Sequence, residues 1–389
     1  MPLLFWISFT VSGGWAVTVP PEALRHQLEA AQLVADIHVE TLEATADPVL
    51  HARFLAQATV RAVVRNSTRP VREGQRIAIT GPGGETGSAG TYYSGYPRPH
   101  SGRNYRAWLR QTEGGAYVIT GYDFGLRSES SVRSPSRNRT DGSNGDGEGA
   151  FLRWDETFLP LTYSISYKSF TGHSDFLPAI DTSFKTWRDP GGSVIEFTPL
   201  GCTTVDGNFN DGINAVVLVA SGWPFDASAI AVTRNFYISD DSARAGMILD
   251  SDILLNGENY SFTTSAEPGK HDIRNILTHE IGHFLGFGHE VPPEDSDATM
   301  YAVASPGETN KQILHKSEQA ILQATYGGAA TKTGMSGYTC RLPSEPLLGC
   351  AASHGTGSPW SLFPLVGMGC VVLVTGWVRR RSRETTSTL

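Results

Sequence analysis

The chain has 389 residues, enough for two hydrophobic cores, and a formal charge of −8 with no long block of either sign. That balance argues against nucleic acid as a partner. Only 18% of the residues are charged and 42 are glycine, a composition that suits a secreted, β-rich protein.

In chain order, residues 3–11 are a short apolar stretch, and Gly14-Trp15-Ala16 places small residues where signal cleavage requires them. Residues 1–16 are therefore expected to be a secretory signal cut after Ala16, although no Lys or Arg precedes the apolar run. Residues 22–33 carry Leu24, Leu28 and Leu33 at helical spacing. Alternating β-branched segments follow at 34–40, 58–64, 75–79, 105–109 and 116–119, broken by Gly-Pro turns. Residues 17–126 thus predict a small β-rich barrel or sandwich. His38 and His51 are read there as strand or surface residues. Residues 127–150 are dominated by Ser, Arg, Asn, Gly and Asp and read as a disordered linker open to nicking. Asp141 to Glu148 has the flavour of a calcium loop without EF-hand spacing, so Ca2+ is left open there and unsupported.

A second domain is expected over 151–327. Residues 161–166 alternate as a strand. Leu177, Ile180, Phe184 and Trp187 recur at helical spacing, and Pro190-Gly191-Gly192 stops that helix. Residues 214–219, 229–238 and 246–255 predict three strands, 272–285 a helix and 317–326 a last helix. The fold class is α+β.

The helix at 272–285 carries His279-Glu280-Ile281-Gly282-His283-Phe284-Leu285-Gly286-Phe287-Gly288-His289, which fills every fixed position of H-E-x-x-H-x-x-G-x-x-H. Positions four apart share a helix face about 6 Å apart, so His279 and His283 can meet one metal. Gly286 lets the chain leave the helix through positive φ and return His289 as a third ligand. Three neutral nitrogens leave a fourth tetrahedral position open, the arrangement of a catalytic Zn2+ site. Glu280, beside His279, is placed to move the proton of a zinc-activated water as general base.

With Ala298-Thr299-Met300-Tyr301 following, this motif resembles that of the metzincin metalloproteases, and within them the matrixins. Matrixin turns often read Met-Tyr-Pro, whereas this chain has Ala302 at the proline position. Glu290 is more like the astacins, but their tyrosine two residues after the methionine is again Ala302 here, so Tyr301 is not assigned as a ligand. The resemblance implies a metzincin catalytic domain, a mixed sheet with a zinc helix and a closing helix, and Met300 as an apolar floor beneath the histidines. It also implies protein or peptide substrates and a strand at the sheet edge, Ile230, Ala231, Val232 and Thr233, that pairs with them. Ala324-Thr325-Tyr326-Gly327 is similar to the matrixin end, but Ser317-Glu318 stands where paired aspartates usually open the closing helix. That leaves open how this helix meets the methionine turn. The β-rich segment before it resembles domains that precede bacterial matrixin-like domains, of an oligonucleotide-fold type.

Residues 328–359 form a polar spacer. Residues 360–378 are uncharged and, at 1.5 Å each, long enough to be a transmembrane segment. Arg379, Arg380, Arg381 and Arg383 follow in a basic cytoplasmic tail, 379–389. With Leu348-Gly349-Cys350 ahead of it, this end resembles the tripartite C-terminal sorting tags of some Gram-negative surface proteins. Of the cysteines 202, 340, 350 and 370, Cys340 and Cys350 are candidates to bridge. No cysteine precedes Cys202, so the propeptide thiol that keeps many matrixins latent is missing. The expectation is an exported, surface-attached zinc endopeptidase. The alternative is a surface binding or adhesion protein whose peptidase domain is inactive or acts only on itself.

Overall fold

The computed structural model describes residues 18–328 except 49, 68–69, 87–88, 95, 98, 129–151, 208–209, 240–242 and 290–295. The signal, most of the linker, nearly all of the spacer, the apolar C-terminal segment and the basic tail expected from sequence lie outside the described residues. Among the described residues no helix is long and apolar enough to cross a membrane.

Helix α1 (Pro21–Glu29) starts on a proline, whose fixed φ suits the first turn. Strands β1 (Leu33–Asp47) and β2 (His51–Asn66) then form a long antiparallel hairpin. β3 (Arg76–Pro82) runs into β4 (Gly84–Thr86) and β5 (Ala89–Tyr93), and β6 (Asn104–Gln111), β7 (Tyr117–Ile119) and β8 (Leu126–Ser128) follow. The order β1-β2-β3-β7-β6 closes through a β1–β6 pairing, so the first sheet is a barrel. Its interior is filled by alternate residues: Ile37 and Val39, Phe54, Ala56 and Ala58, Ile77 and Ile79, Tyr105 and Ala107. The single parallel contact, β3 with β7, is compatible with the oligonucleotide-fold type.

The second sheet is built from β9 (Leu161–Ser166), β10 (Phe197–Thr203), β11 (Ala215–Val219), β12 (Ala231–Ile238) and β13 (Ile248–Asn256). The order is β10-β9-β11-β13-β12-β5-β4. β10, β9, β11 and β13 are parallel neighbours, and β12 runs antiparallel to β13. Strand pairing therefore does not follow the boundary drawn at residue 126. β5, from the N-terminal region, pairs antiparallel with β12 over Arg234–Ile238, and β4 extends the sheet beyond it. β10 and β5 were not expected from sequence. Pro199 and Gly201 interrupt the alternation of β10 and coincide with its register shift.

Helices α2 (Leu177–Arg188) and α3 (Ile273–Phe284) share one core with this sheet. A short parallel pair, β14 (Phe262–Thr263) and β15 (His271–Asp272), leads into α3, and α4 (Lys316–Tyr326) closes the domain. Phe184 of α2 is fully buried, with its ring stacked on Tyr163 at 3.7 Å and edge-on to Phe197 and Phe284. Trp187 donates from Nε1 to the carbonyl of Thr278 at 2.6 Å, fixing α2 against α3. Phe184→Ala is expected to destabilise the protein by about 3–5 kcal/mol, the usual cost of emptying a buried aromatic site. Thermal unfolding monitored by near-UV circular dichroism checks this, and an unchanged midpoint contradicts the placement.

Candidate metal centre

The site is built on α3. Asp272 caps the helix by accepting from the Asn275 amide at 2.9 Å, and Gln312 holds the same carboxylate oxygen at 2.8 Å. Eleven of the twelve residues of α3 are buried, so its backbone cannot rely on water to satisfy the last-turn carbonyls. Amides of Leu285, Phe287 and Gly286 take the carbonyls of Ile281, Gly282 and His283, and side chains add to them. Thr233 donates to Glu280 O, Asn235 to His283 O, Trp154 Nε1 to Phe284 O, and the Tyr326 hydroxyl to Leu285 O.

His279 and His283 lie one turn apart with their Nε2 atoms 3.0 Å from each other. Gly286 has φ of +88°, and a side chain there would press into the backbone carbonyl of Leu152. The chain turns at this point as expected from sequence and returns His289, whose Nε2 lies 2.9 Å from that of His279 and 3.2 Å from that of His283. His279 Nδ1 donates to Thr299 O at 2.7 Å and His283 Nδ1 to Phe287 O at 2.6 Å. A carbonyl only accepts, so these two rings carry their proton on Nδ1 and present the Nε2 lone pair inward. His289 Nδ1 is buried and has no hydrogen-bond partner among the described residues.

Three ring nitrogens at this spacing, two of them presenting lone pairs inward, suit a cation between them. A tetrahedral zinc with Zn–N bonds of about 2.0–2.1 Å sets its nitrogens at nearly this spacing. Burial pushes the His283 imidazole down to about 4, and burial followed by its neighbours' charge holds His279 and His289 well below the ordinary histidine range. The neutral form that binds metal is thus the resting one. Among the described residues this trio is the one His, Cys, Asp or Glu group arranged to hold a metal ion.

Glu280 is fully buried. Its Oε2 accepts from the Thr233 hydroxyl at 2.7 Å and its Oε1 from the Thr18 hydroxyl at 3.2 Å. Burial, opposed by these hydrogen bonds, raises its carboxyl to about 7. Met300 is fully buried as well, and a Cβ on Gly282 would collide with its Sδ, so the glycine makes room for the sulfur under the helix. The Met300 amide donates to Glu318 Oε1 at 3.1 Å. The single longer carboxylate of the closing helix thereby makes the contact that the missing aspartates had left open.

The candidate ligands His279, His283 and His289 converge, Glu280 follows His279 on α3 and Met300 packs against Gly282, but the strand Ile230, Ala231, Val232 and Thr233 does not form a free edge. The chain supplies its own neighbours to that strand. The Ile230 amide donates to Thr18 O at 2.9 Å, and Thr18 bridges Ala231. Thr233 exchanges hydrogen bonds with Ser94 through its amide and its carbonyl. From Arg234 onward β5 takes the ladder. Thr233 faces Glu280 with its hydroxyl, a role that strand periodicity does not reveal. Thr18, Ser94 and Glu318 were not found from sequence, and only Glu318 had a signal, its place at the start of the last helix. Cys202 is disulfide-bonded, and the other three cysteines lie outside the described residues.

The purified full chain is expected to hold about one zinc, and His283→Ala to lose it while keeping the fold. Metal analysis of untreated protein checks this, and a folded chain with no bound zinc contradicts it.

No curated protein matches this chain. The family model Peptidase_M10, matrixin, matches residues 153–327, the stretch that supplies all three histidines, Glu280 and Met300. This stretch is similar to the matrixin metallopeptidases, a family that implies zinc for the histidine trio.

Proposed function

We propose that the chain is an exported, zinc-dependent endopeptidase. The observation that carries this reading is the convergence of three buried imidazole nitrogens, with the Glu280 carboxylate one residue from His279 and held by the Thr233 and Thr18 hydroxyls. His279, His283 and His289 would hold zinc, which when bound would supply a Lewis acid for a substrate carbonyl and for water. Glu280 takes the proton from the attacking water and delivers it to the departing amine. Thr233 holds Oε2 and the Glu280 carbonyl, so the carboxylate enters the reaction already oriented. Met300 keeps the floor of the site apolar and dry. The rival reading, a binding or adhesion protein with a lapsed peptidase domain, gives no reason for an intact Glu280, and the hydroxyls around that carboxylate favour the enzyme.

Glu280→Ala leaves the three ligands untouched, so zinc and fold should persist while peptide hydrolysis falls by roughly 10²–10⁴-fold. A kcat at the wild-type level in a zinc-loaded variant would move the base elsewhere.

Export is carried by the apolar N-terminus ending at Ala16, and surface attachment by the 360–378 segment with its following arginines. Removal of residues 351–389 is expected to release soluble protein from the producing cells. The intact mass of cell-attached protein should lack the arginine end. A mass that includes Leu389 leaves a plain membrane anchor in place of a processed sorting tag.

A further inference from the structure

The described chain begins inside its own candidate active site. Thr18 bridges Ala231 in antiparallel register, and Val19 bridges Val303 in parallel register. The segment is thus an extended strand lying between the start of β12 and the residues that follow the methionine turn. Its backbone is held on both sides. The Ile230 amide donates to Thr18 O at 2.9 Å, the Val19 amide donates to Ala302 O at 3.1 Å, and the Ala304 amide donates to Val19 O at 3.1 Å. One wall is fixed independently of this strand, because the buried Lys311 ammonium donates to Val303 O at 2.8 Å and pairs with Glu308. Val19 is 1% exposed and belongs to an apolar cluster with Val232, Ala302 and Val303. The Thr18 hydroxyl reaches Glu280 Oε1 at 3.2 Å, so the proposed base is held on one side by Thr233 and on the other by the inserted strand. His279, His283 and Glu280 have no exposed surface and His289 is only 3% exposed, and Thr18 is part of the cover over Glu280.

We propose that Thr18, Val19 and Pro20 are a built-in occupant of the peptide groove, and that the chain is latent until this strand is displaced. The groove, between Ile230–Ala231 and Ala302–Ala304, then accepts an extended peptide by the same backbone pairing. This rests on the endopeptidase reading of the site. The device needs no thiol, which fits a chain with no cysteine before Cys202. Latency works by occupancy: the strand competes at high effective concentration because it is tethered to the domain it blocks.

The test uses the full-length, zinc-loaded chain. Val19→Asp buries a charge in the apolar cluster and should undock the strand. Val19→Gly is the milder second variant if the aspartate prevents folding. Amide hydrogen exchange at Ile230 and Ala304 reads docking without reference to activity, and hydrolysis of a peptide library reads the enzyme. Both amides should be protected in the parent and exchange faster in the variants, with kcat/KM rising about tenfold or more. A synthetic peptide covering residues 18–29 should inhibit the undocked variants. Faster exchange with unchanged hydrolysis overturns latency while leaving the peptidase in place. Unprotected Ile230 and Ala304 amides in the parent also overturn it. No hydrolysis from an undocked, zinc-loaded chain overturns the endopeptidase reading itself.

Discussion

Three imidazole nitrogens held within 2.9–3.2 Å of one another, on buried histidines, are the demand around which this domain is organised. Neutral rings oriented this way gain nothing from each other without a cation, so packing has to hold them. The means are visible around α3. Trp187, Thr233, Asn235, Trp154 and Tyr326 each donate to a different carbonyl of α3 or the residue after it. Five side chains from the sheet, from α2 and from the two ends of the domain therefore converge on one helix. Loss of the Trp154 or Tyr326 donor leaves the buried Phe284 or Leu285 carbonyl without its side-chain partner, which costs about 1–3 kcal/mol.

The methionine turn is the other half of that support. His279 Nδ1 donates to Thr299 O, and the next residue, Met300, fills the space that Gly282 leaves beneath the helix. Glu318 at the start of α4 then takes the Met300 amide. The turn is thus locked from above by a ligand and from below by the closing helix. One carboxylate from the first turn of α4 suffices, because what the contact needs is an acceptor at the right place.

Legibility in the sequence tracks the range of each interaction. The histidine trio, the glycine turn and the helix that carries them are encoded within eleven consecutive residues, so spacing alone reveals them. The barrel was visible through alternation in β1, β2, β3 and β6, whose inward residues are apolar at every second position. β10 was hidden because Pro199 and Gly201 break that alternation. β5, Ala-Gly-Thr-Tyr-Tyr, was hidden because its partner is β12, some 145 residues further along the chain, and no local pattern records such a pairing. The contact between Thr18 and Glu280 spans 262 positions and leaves no periodic trace. Thr233 looked like one more strand residue because a hydroxyl aimed at a carboxylate and one aimed at a backbone group are the same letter.

These long-range contacts share one feature: they all close the outer side of β12. An unpaired strand presents amides and carbonyls that another chain can capture, and proteins cover such edges or use them. Here Arg234–Ile238 is covered by β5, Thr233 by Ser94, and Ile230–Ala231 by Thr18. The three covers differ in how they are held. β5 is part of a sheet continued by β4, and Ser94 follows it directly, so both are fixed by the same ladder. Thr18 rests on an isolated bridge, with α1 tied through Gln27 to Ser228 and to the Gly121 amide. Local opening proceeds where the fewest hydrogen bonds and the least buried area must be given up. By that measure the part of β12 that can open first is Ile230–Ala231, the part beside Glu280 and the three histidines.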